Sequence, residues 1–170
     1  MGSLIKIDEE IVTSAVASVS LLGIDSDDVY MVSAVGIKPT TDNDYLKGRV
    51  TKLGSPDTTS NYDLAYKLLR TDSTFSNNTQ TNFPDVFITN TLGTSTSEFG
   101  NFIIYLYNFN SSSEYSFATV ETSDVRYNTT LMGRQGGFVH TVASASDGIF
   151  FTFNTGNIAS GTFTLYKINS

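Results

Sequence analysis

The chain has 170 residues, and its 17 acidic and 10 basic side chains give a formal net charge of −7. This acidity argues against binding to nucleic acid or to anionic membrane surfaces, because both require basic patches. The absence of cysteine excludes disulfide bonds, thiolate metal sites and cysteine nucleophiles. Charged residues make up only 16% of the chain and hydrophobic residues 39%, and small polar residues and glycine supply much of the rest. Such a mixture is typical of β-strands joined by polar turns.

The first fourteen residues are predicted to form an arm or a first strand, followed by a single β-sandwich domain over residues 15–170. The stretch "MGSLIKIDEE" (1–10) has acidic residues where the apolar core of a signal peptide should continue. No segment is long and apolar enough to span a membrane. We therefore expect a protein that is made in the cytoplasm without a signal peptide and has no membrane partner.

Apolar and polar residues alternate in many short segments bounded by turn residues, as in β-strands with one buried face. The candidate strands in chain order are 15–24, 28–37, 44–53, 85–92, 101–109, 114–121, 136–145, 148–153 and 161–168. Nine strands at this spacing predict an all-β antiparallel sandwich of the jelly-roll type. The last two are expected to be core strands joined as a hairpin by the polar loop 154–161.

Three segments are less regular. Residues 61–70 place apolar side chains at both helical and strand spacing, and we favour a strand. The polar stretch 70–84 predicts a long mobile loop. The glycine-rich "MGRQGG" (132–137) predicts a hairpin turn whose glycines adopt positive φ.

The candidate strand at 101–109 is apolar on both faces. One face carries Ile103, Tyr105, Tyr107 and Phe109, whereas a sandwich strand normally turns polar side chains outward. Three aromatic side chains would exceed the apolar patch that a monomer usually exposes. We expect a flanking loop of the same chain or a neighbouring subunit to cover this face, and we adopt the four residues as a predicted subunit interface.

The sequence predicts no catalytic residue, no cofactor and no enzymatic activity. The only histidine, His140, shares a strand face with Phe138 and Val142, so we interpret it as a structural or interface residue. The acidic clusters "DSDD" (25–28) and "TDND" (41–44) lie in turns, where carboxylates commonly support the backbone. Neither has the EF-hand pattern that binds calcium, and we predict no metal site.

The block "GGFVHTVASASDGIFFTFNTGNIASGTFTLYKI" (136–168) resembles a β-sandwich module of virion proteins from marine tailed bacteriophages. The resemblance extends to the upstream segments 23–42, 54–67 and 108–121. One departure is Lys167, where the module more often has glycine. The resemblance implies a jelly-roll-like homotrimer of the tail-fibre or decoration type, displayed on the exterior of the phage particle.

We therefore expect a non-enzymatic virion structural protein that self-associates and binds a capsid or tail protein. The alternative is a receptor-binding module of a tail fibre that recognises host cell-surface glycans. Tyr30, Tyr62, Tyr115 and Tyr127 lie beside polar turns and are candidate stacking platforms for sugars, but no glycan-binding residue is assigned.

Overall fold

The computed structural model describes residues 3–169, which form thirteen β-strands and no helix. The strands are β1 (Ser3–Val12), β2 (Val19–Leu22), β3 (Tyr30–Pro39), β4 (Leu46–Lys52), β5 (Ser55–Pro56), β6 (Tyr62–Arg70), β7 (Ser76–Phe83), β8 (Val86–Phe87), β9 (Gly100–Tyr107), β10 (Ser116–Val125), β11 (Leu131–His140), β12 (Gly148–Phe153) and β13 (Ile158–Asn169).

The strands form two antiparallel sheets that pack together as a sandwich. The larger sheet has the order β1-β13-β3-β9-β10-β11-β6-β7, and the smaller has the order β2-β12-β4-β5, with β8 also pairing with β4. Eight strands form the layers β1-β13-β3-β9 and β2-β12-β4-β8, and among them the chain changes sheet at every step except from β4 to β8. This is the connectivity of a jelly roll. The predicted all-β antiparallel sandwich is therefore confirmed.

The larger sheet continues beyond β9 because two insertions add β10, β11, β6 and β7 to it. Opposite this extension, residues 88–92 continue the chain from β8 at the edge of the smaller sheet. The Ile88 amide donates to the Leu46 carbonyl at 2.9 Å, and Leu92 forms bridges with Asp44 and Arg126. This segment therefore lines the space next to the inner face of β6 and β11.

Three phenylalanines join the two sheets at the centre of the core. Phe151 of β12 lies with its ring centroid 5.4 Å from Phe102 of β9 and 5.5 Å from Phe163 of β13. All three side chains are buried. Aromatic pairs at such distances contribute about 0.5–1.5 kcal/mol beyond the burial of their surface. The cluster therefore joins β12 of the smaller sheet to β9 and β13 of the larger sheet.

Of the three less regular segments, one prediction is confirmed and two are wrong. Residues 62–70 form β6, so the strand interpretation is confirmed. The mobile loop predicted at 70–84 is wrong for most of its length, because Ser76–Phe83 form β7 and pair with β6. Its residues are nearly all exposed at the edge of the sheet, so both faces are polar and no alternation marks it as a strand.

The hairpin turn predicted at 132–137 is also wrong, because these residues lie within β11 and pair with both β10 and β6. None of its glycines has a positive φ. A Cβ atom on Gly136 would lie 2.2 Å from the Ala65 carbonyl oxygen, and one on Gly137 would lie 2.4 Å from that of Ala118. The glycines therefore permit close approach of neighbouring strands.

The two C-terminal strands do not form the expected hairpin, because β12 lies in the smaller sheet and β13 in the larger. β13 runs between β1 and β3, and its Phe163 and Leu165 are fully buried. Residues 3–12, expected as an arm or a first strand, pair along β13 as β1. The last strand is thus an interior strand of the larger sheet.

Removal of residues 161–170 should leave no folded protein, because it deletes most of an interior strand and two core side chains. A chain that ends at Ile168 keeps Phe163 and Leu165 and serves as the matched control, which should fold. Far-UV circular dichroism and thermal unfolding check both. A cooperative unfolding transition in the shorter chain would contradict this account of β13.

Candidate functional site

The outer face of the larger sheet carries the residues predicted as a subunit contact. Ile103 and Tyr105 of β9 are 41% and 37% exposed, and Tyr107 is partly buried. Phe117 of β10 pairs with Tyr107 and is 44% exposed, and Val35 of β3 is 59% exposed. We call Val35, Ile103, Tyr105, Tyr107 and Phe117 the apolar strip. It crosses three neighbouring strands at the centre of the sheet.

Phe109 does not belong to this face, so that part of the prediction is wrong. It lies beyond the end of β9, and its side chain is fully buried. Asn108, just before it, has φ of 57°, in the left-handed region, and this interrupts the alternation of an extended strand. The residue expected to point outward therefore enters the core.

A hollow borders the apolar strip because small side chains lie in register on neighbouring strands. Thr119 of β10 pairs with Gly137 of β11, which pairs with Ala65 of β6. Together with Tyr107 and Phe117 they line a concavity of about 540 Å³. An apolar ridge next to a hollow is a shape that can accept side chains from a partner surface.

A second concavity, which we call the arginine cleft, opens between the inner face of β6 and β11 and the segment after β8. It has a volume of about 320 Å³. Its lining residues are Tyr45, Leu68, Arg70, Phe87, Thr89, Asn90, Thr91, Arg126, Met132 and Arg134. Three of the four arginines of the chain are among them, whereas no carboxylate is.

The register of β6 and β11 explains why two of these arginines meet. Arg70 pairs with Met132, and Leu68 pairs with Arg134, so all four side chains share the inner face. Arg126 follows the end of β10, and its Nε donates to Thr91 Oγ1 at 3.2 Å. Sequence analysis missed this cluster because Arg70 lies far along the chain from Arg126 and Arg134, and because the turn between β10 and β11 separates those two.

Arg134 is the buried arginine of the cleft, with only 7% of its surface exposed. Its Nη1 donates to the Phe87 carbonyl at 2.7 Å, and its Nη2 donates to Asn90 Oδ1 at 3.3 Å. The guanidinium lies 4.0 Å from the centre of the Tyr66 ring, in cation–π geometry. Burial lowers the pKa of Arg134, because desolvation disfavours the charged form.

Behind the cleft lies a second buried charged group, Asp124. Its Oδ2 accepts hydrogen bonds from the Asn90 backbone amide at 2.9 Å, from Asn90 Nδ2 at 3.0 Å and from Thr122 Oγ1 at 3.3 Å. Desolvation raises the pKa of Asp124 to about 6, although these hydrogen bonds oppose the shift. Asn90 thus links Asp124 to Arg134, donating to the one and accepting from the other.

The only histidine is fully buried in the core. His140 stacks at 4.9 Å on Tyr62, and its Nε2 lies 3.2 Å from Asp57 Oδ2 without the alignment of a hydrogen bond. Ser116 lies directly opposite in the register of β10 and β11 and is also fully buried. Desolvation lowers the pKa of His140, Lys52 acts in the same direction, and Asp57 opposes them. Ser116 and His140 are thus buried on neighbouring strands, and the partly buried Asp57 lies next to the histidine.

The acidic turns considered for calcium have protein partners. Asp44 is buried, and its Oδ2 accepts from the backbone amides of Thr155 and Gly156 at 3.0 and 2.8 Å. Asp28 pairs with Lys167 at 2.6 Å, so the residue that departs from the module's pattern ties β13 to this turn. Within residues 3–169 no group of three or more His, Asp or Glu side chains is arranged to hold a metal ion.

The four tyrosines considered as sugar platforms divide by burial. Tyr30 and Tyr62 are fully buried, so both are wrong as stacking platforms. Tyr115 and Tyr127 are exposed, and Tyr127 lies 5.1 Å from the guanidinium of Arg126. Of these two, Tyr127 lies next to a residue that lines the arginine cleft.

No family model, curated protein or solved structure matches this chain. Within the part of the chain that the structure describes, no helix could cross a lipid bilayer. The apolar strip and the arginine cleft are the two candidate functional surfaces of the chain.

Substitution of Asp124 by asparagine should change how stability depends on pH. The pKa of Asp124 is raised from 3.8 to about 6, so its favourable contribution is present at low pH and is lost as the pH rises through about 6. Asparagine does not titrate, so the unfolding free energy of Asp124→Asn minus that of wild type should increase by on the order of 2–3 kcal/mol from pH 4 to pH 7. Urea unfolding at several pH values measures it.

The exposed turn residue Asp27 provides the matched control, since Asp27→Asn also removes one carboxylate. A constant difference between Asp124→Asn and wild type across this pH range would contradict the raised pKa of Asp124.

Proposed function

We propose that this chain is a non-enzymatic structural protein of a bacteriophage virion, exposed on the particle as a capsid decoration or fibre-type protein. It self-associates through the outer face of the larger sheet and binds a capsid or tail partner. The observation that carries the proposal is the apolar strip, because soluble monomers rarely expose contiguous apolar side chains on the central strands of a sheet.

The face is large enough for a stable contact. Eight strands at about 4.8 Å spacing give a width of about 34 Å, and strands of eight residues span about 27 Å. The resulting area of about 900 Å² is comparable to the roughly 800 Å² that each partner buries in a stable interface. The strip and the hollow beside it lie on the same face, so copies of the chain can pack a ridge of one against the hollow of another.

The resemblance of residues 136–168 to a module of phage virion proteins supports the setting that we propose, and the form of self-association that it implies is a homotrimer. Burial supports the non-enzymatic role. Ser116 and His140 are fully buried, so a substrate carbonyl has no path to this serine.

Purified protein should form an oligomer at micromolar concentration, and Ile103→Ser or Tyr105→Ser should weaken the association at least tenfold because each removes part of the apolar strip. Size-exclusion chromatography with multi-angle light scattering measures the mass. Leu53→Ser is the matched control, because Leu53 is 99% exposed in a turn outside the larger sheet. A wild-type chain that stays monomeric at tens of micromolar would contradict the proposed interface.

Quantitative mass spectrometry of purified particles tests the setting. A copy number comparable to that of the capsid subunits is expected for a decoration protein, and a few copies for a tail fibre. Absence of the chain from washed particles would contradict the proposed role in the virion.

A second candidate function is recognition of host cell-surface glycans by a tail fibre. The arginine cleft favours it, because polar donors and aromatic rings converge there in a volume suited to a small ligand.

A further inference from the structure

We propose that the arginine cleft binds a sugar acid, a pyranose ring that carries a carboxylate. The inference deepens the second candidate function, glycan recognition, and does not depend on self-association. It assigns the anion to Arg126 and Arg134 and the ring to Tyr45 and Phe87.

The charge of the cleft is opposite to that of the chain. A chain of net charge −7 places three of its four arginines in one concavity, and no carboxylate lines it. Arg70 is already neutralised by Asp72, with Nη2 and Oδ2 2.8 Å apart. Asp124 lies behind the lining and is held by Asn90. Asp124 partly offsets the charge of Arg134, so the positive charge left for a ligand comes mainly from Arg126, with a smaller part from Arg134.

Arg126 is held in place with its charged end available. Its Nε donates to Thr91 Oγ1, and the guanidinium lies near the Tyr127 ring. Within residues 3–169 its two terminal nitrogens make no hydrogen bond. A planar guanidinium that is fixed at Nε can bind both oxygens of a carboxylate in a bidentate pair, which adds geometric specificity to the attraction.

Arg134 contributes positive charge from a buried position. It is held by the Phe87 carbonyl and by Asn90, and Asp124 attracts it without forming an ion pair with it. Burying a charge without a direct counter-ion is costly, because attraction of this kind only partly repays the desolvation. An anionic ligand in the adjoining cleft would provide a direct counter-ion.

The remaining lining suits a sugar ring. Tyr45 and Phe87 form an edge-to-face pair with centroids 5.1 Å apart, and both contribute to the cleft. Aromatic faces pack against the C–H groups of a pyranose, while Asn90 and Thr91 offer hydrogen-bonding groups to hydroxyls. A volume of about 320 Å³ lies at the lower end of small-molecule sites, which fits one monosaccharide unit.

The cleft and the apolar strip belong to opposite faces of the larger sheet. Arg70, Met132 and Arg134 share the inner face of β6 and β11, whereas the strip lies on the outer face. Assembly through the strip therefore leaves the cleft open, and binding can be tested on the native assembly.

Isothermal titration calorimetry of the full chain with D-glucuronate and with N-acetylneuraminate tests the inference, with D-glucose and sodium sulfate as comparison ligands. At least one of the two sugar acids should bind at least tenfold more tightly than glucose or sulfate. Arg126→Gln should weaken that binding at least tenfold, and Arg126→Lys should weaken it less because it keeps the charge but loses the bidentate pair. Arg49→Gln is the matched control, since the fourth arginine pairs with Asp85 outside the cleft.

Three results would overturn the sugar-acid site: glucose binding as tightly as both acids, sulfate binding as tightly as both acids, or unchanged binding in a folded Arg126→Gln variant. A glycan array separates this inference from glycan recognition itself. Binding to neutral glycans alone would retain glycan recognition and overturn the acid site, and no binding to the array or to either acid would overturn both. Neither result bears on self-association, which is measured by mass.

Discussion

The burial of Phe102, Phe151 and Phe163 between the two sheets is the contact on which the rest of the structure depends. These rings come from β9 and β13 of the larger sheet and from β12 of the smaller sheet, so their contact requires that the jelly roll is closed. Closure places β13 in the interior of the larger sheet, with β1 on one side and β3 on the other. A sheet held in this way is a rigid support for residues on both of its faces.

The extension of the larger sheet by β10, β11, β6 and β7 contributes to both proposed surfaces. On the outer face, Gly137 and Ala65 leave a hollow beside the apolar strip. On the inner face, the same two strands carry Arg70 and Arg134 into the cleft. Alternation along a strand therefore allows one pair of strands to serve an assembly surface and a binding surface without conflict.

The buried network of Arg134, Asn90 and Asp124 is a costly feature, because two ionisable groups lose most of their hydration. Asn90 forms a hydrogen bond with each of them, so both charged side chains have a hydrogen-bond partner. Replacing such a network by apolar residues is often neutral or stabilising in other proteins. A role in ligand binding would therefore explain the buried charge of Arg134 better than a role in stabilising the fold.

The sequence by itself determined the fold class, because period-two alternation with turn residues between strands is a local signal of a half-buried sheet, and it correctly favoured a strand at 61–70. It missed β7, because an edge strand exposed on both faces has no alternation. The inward turn of Phe109, the role of the glycines in β11 and the meeting of Arg70, Arg126 and Arg134 were decided only by the tertiary structure. The first depends on the left-handed backbone at Asn108. The other two depend on which strands pair and in what register, and pairing joins residues whose separation along the chain leaves no local trace.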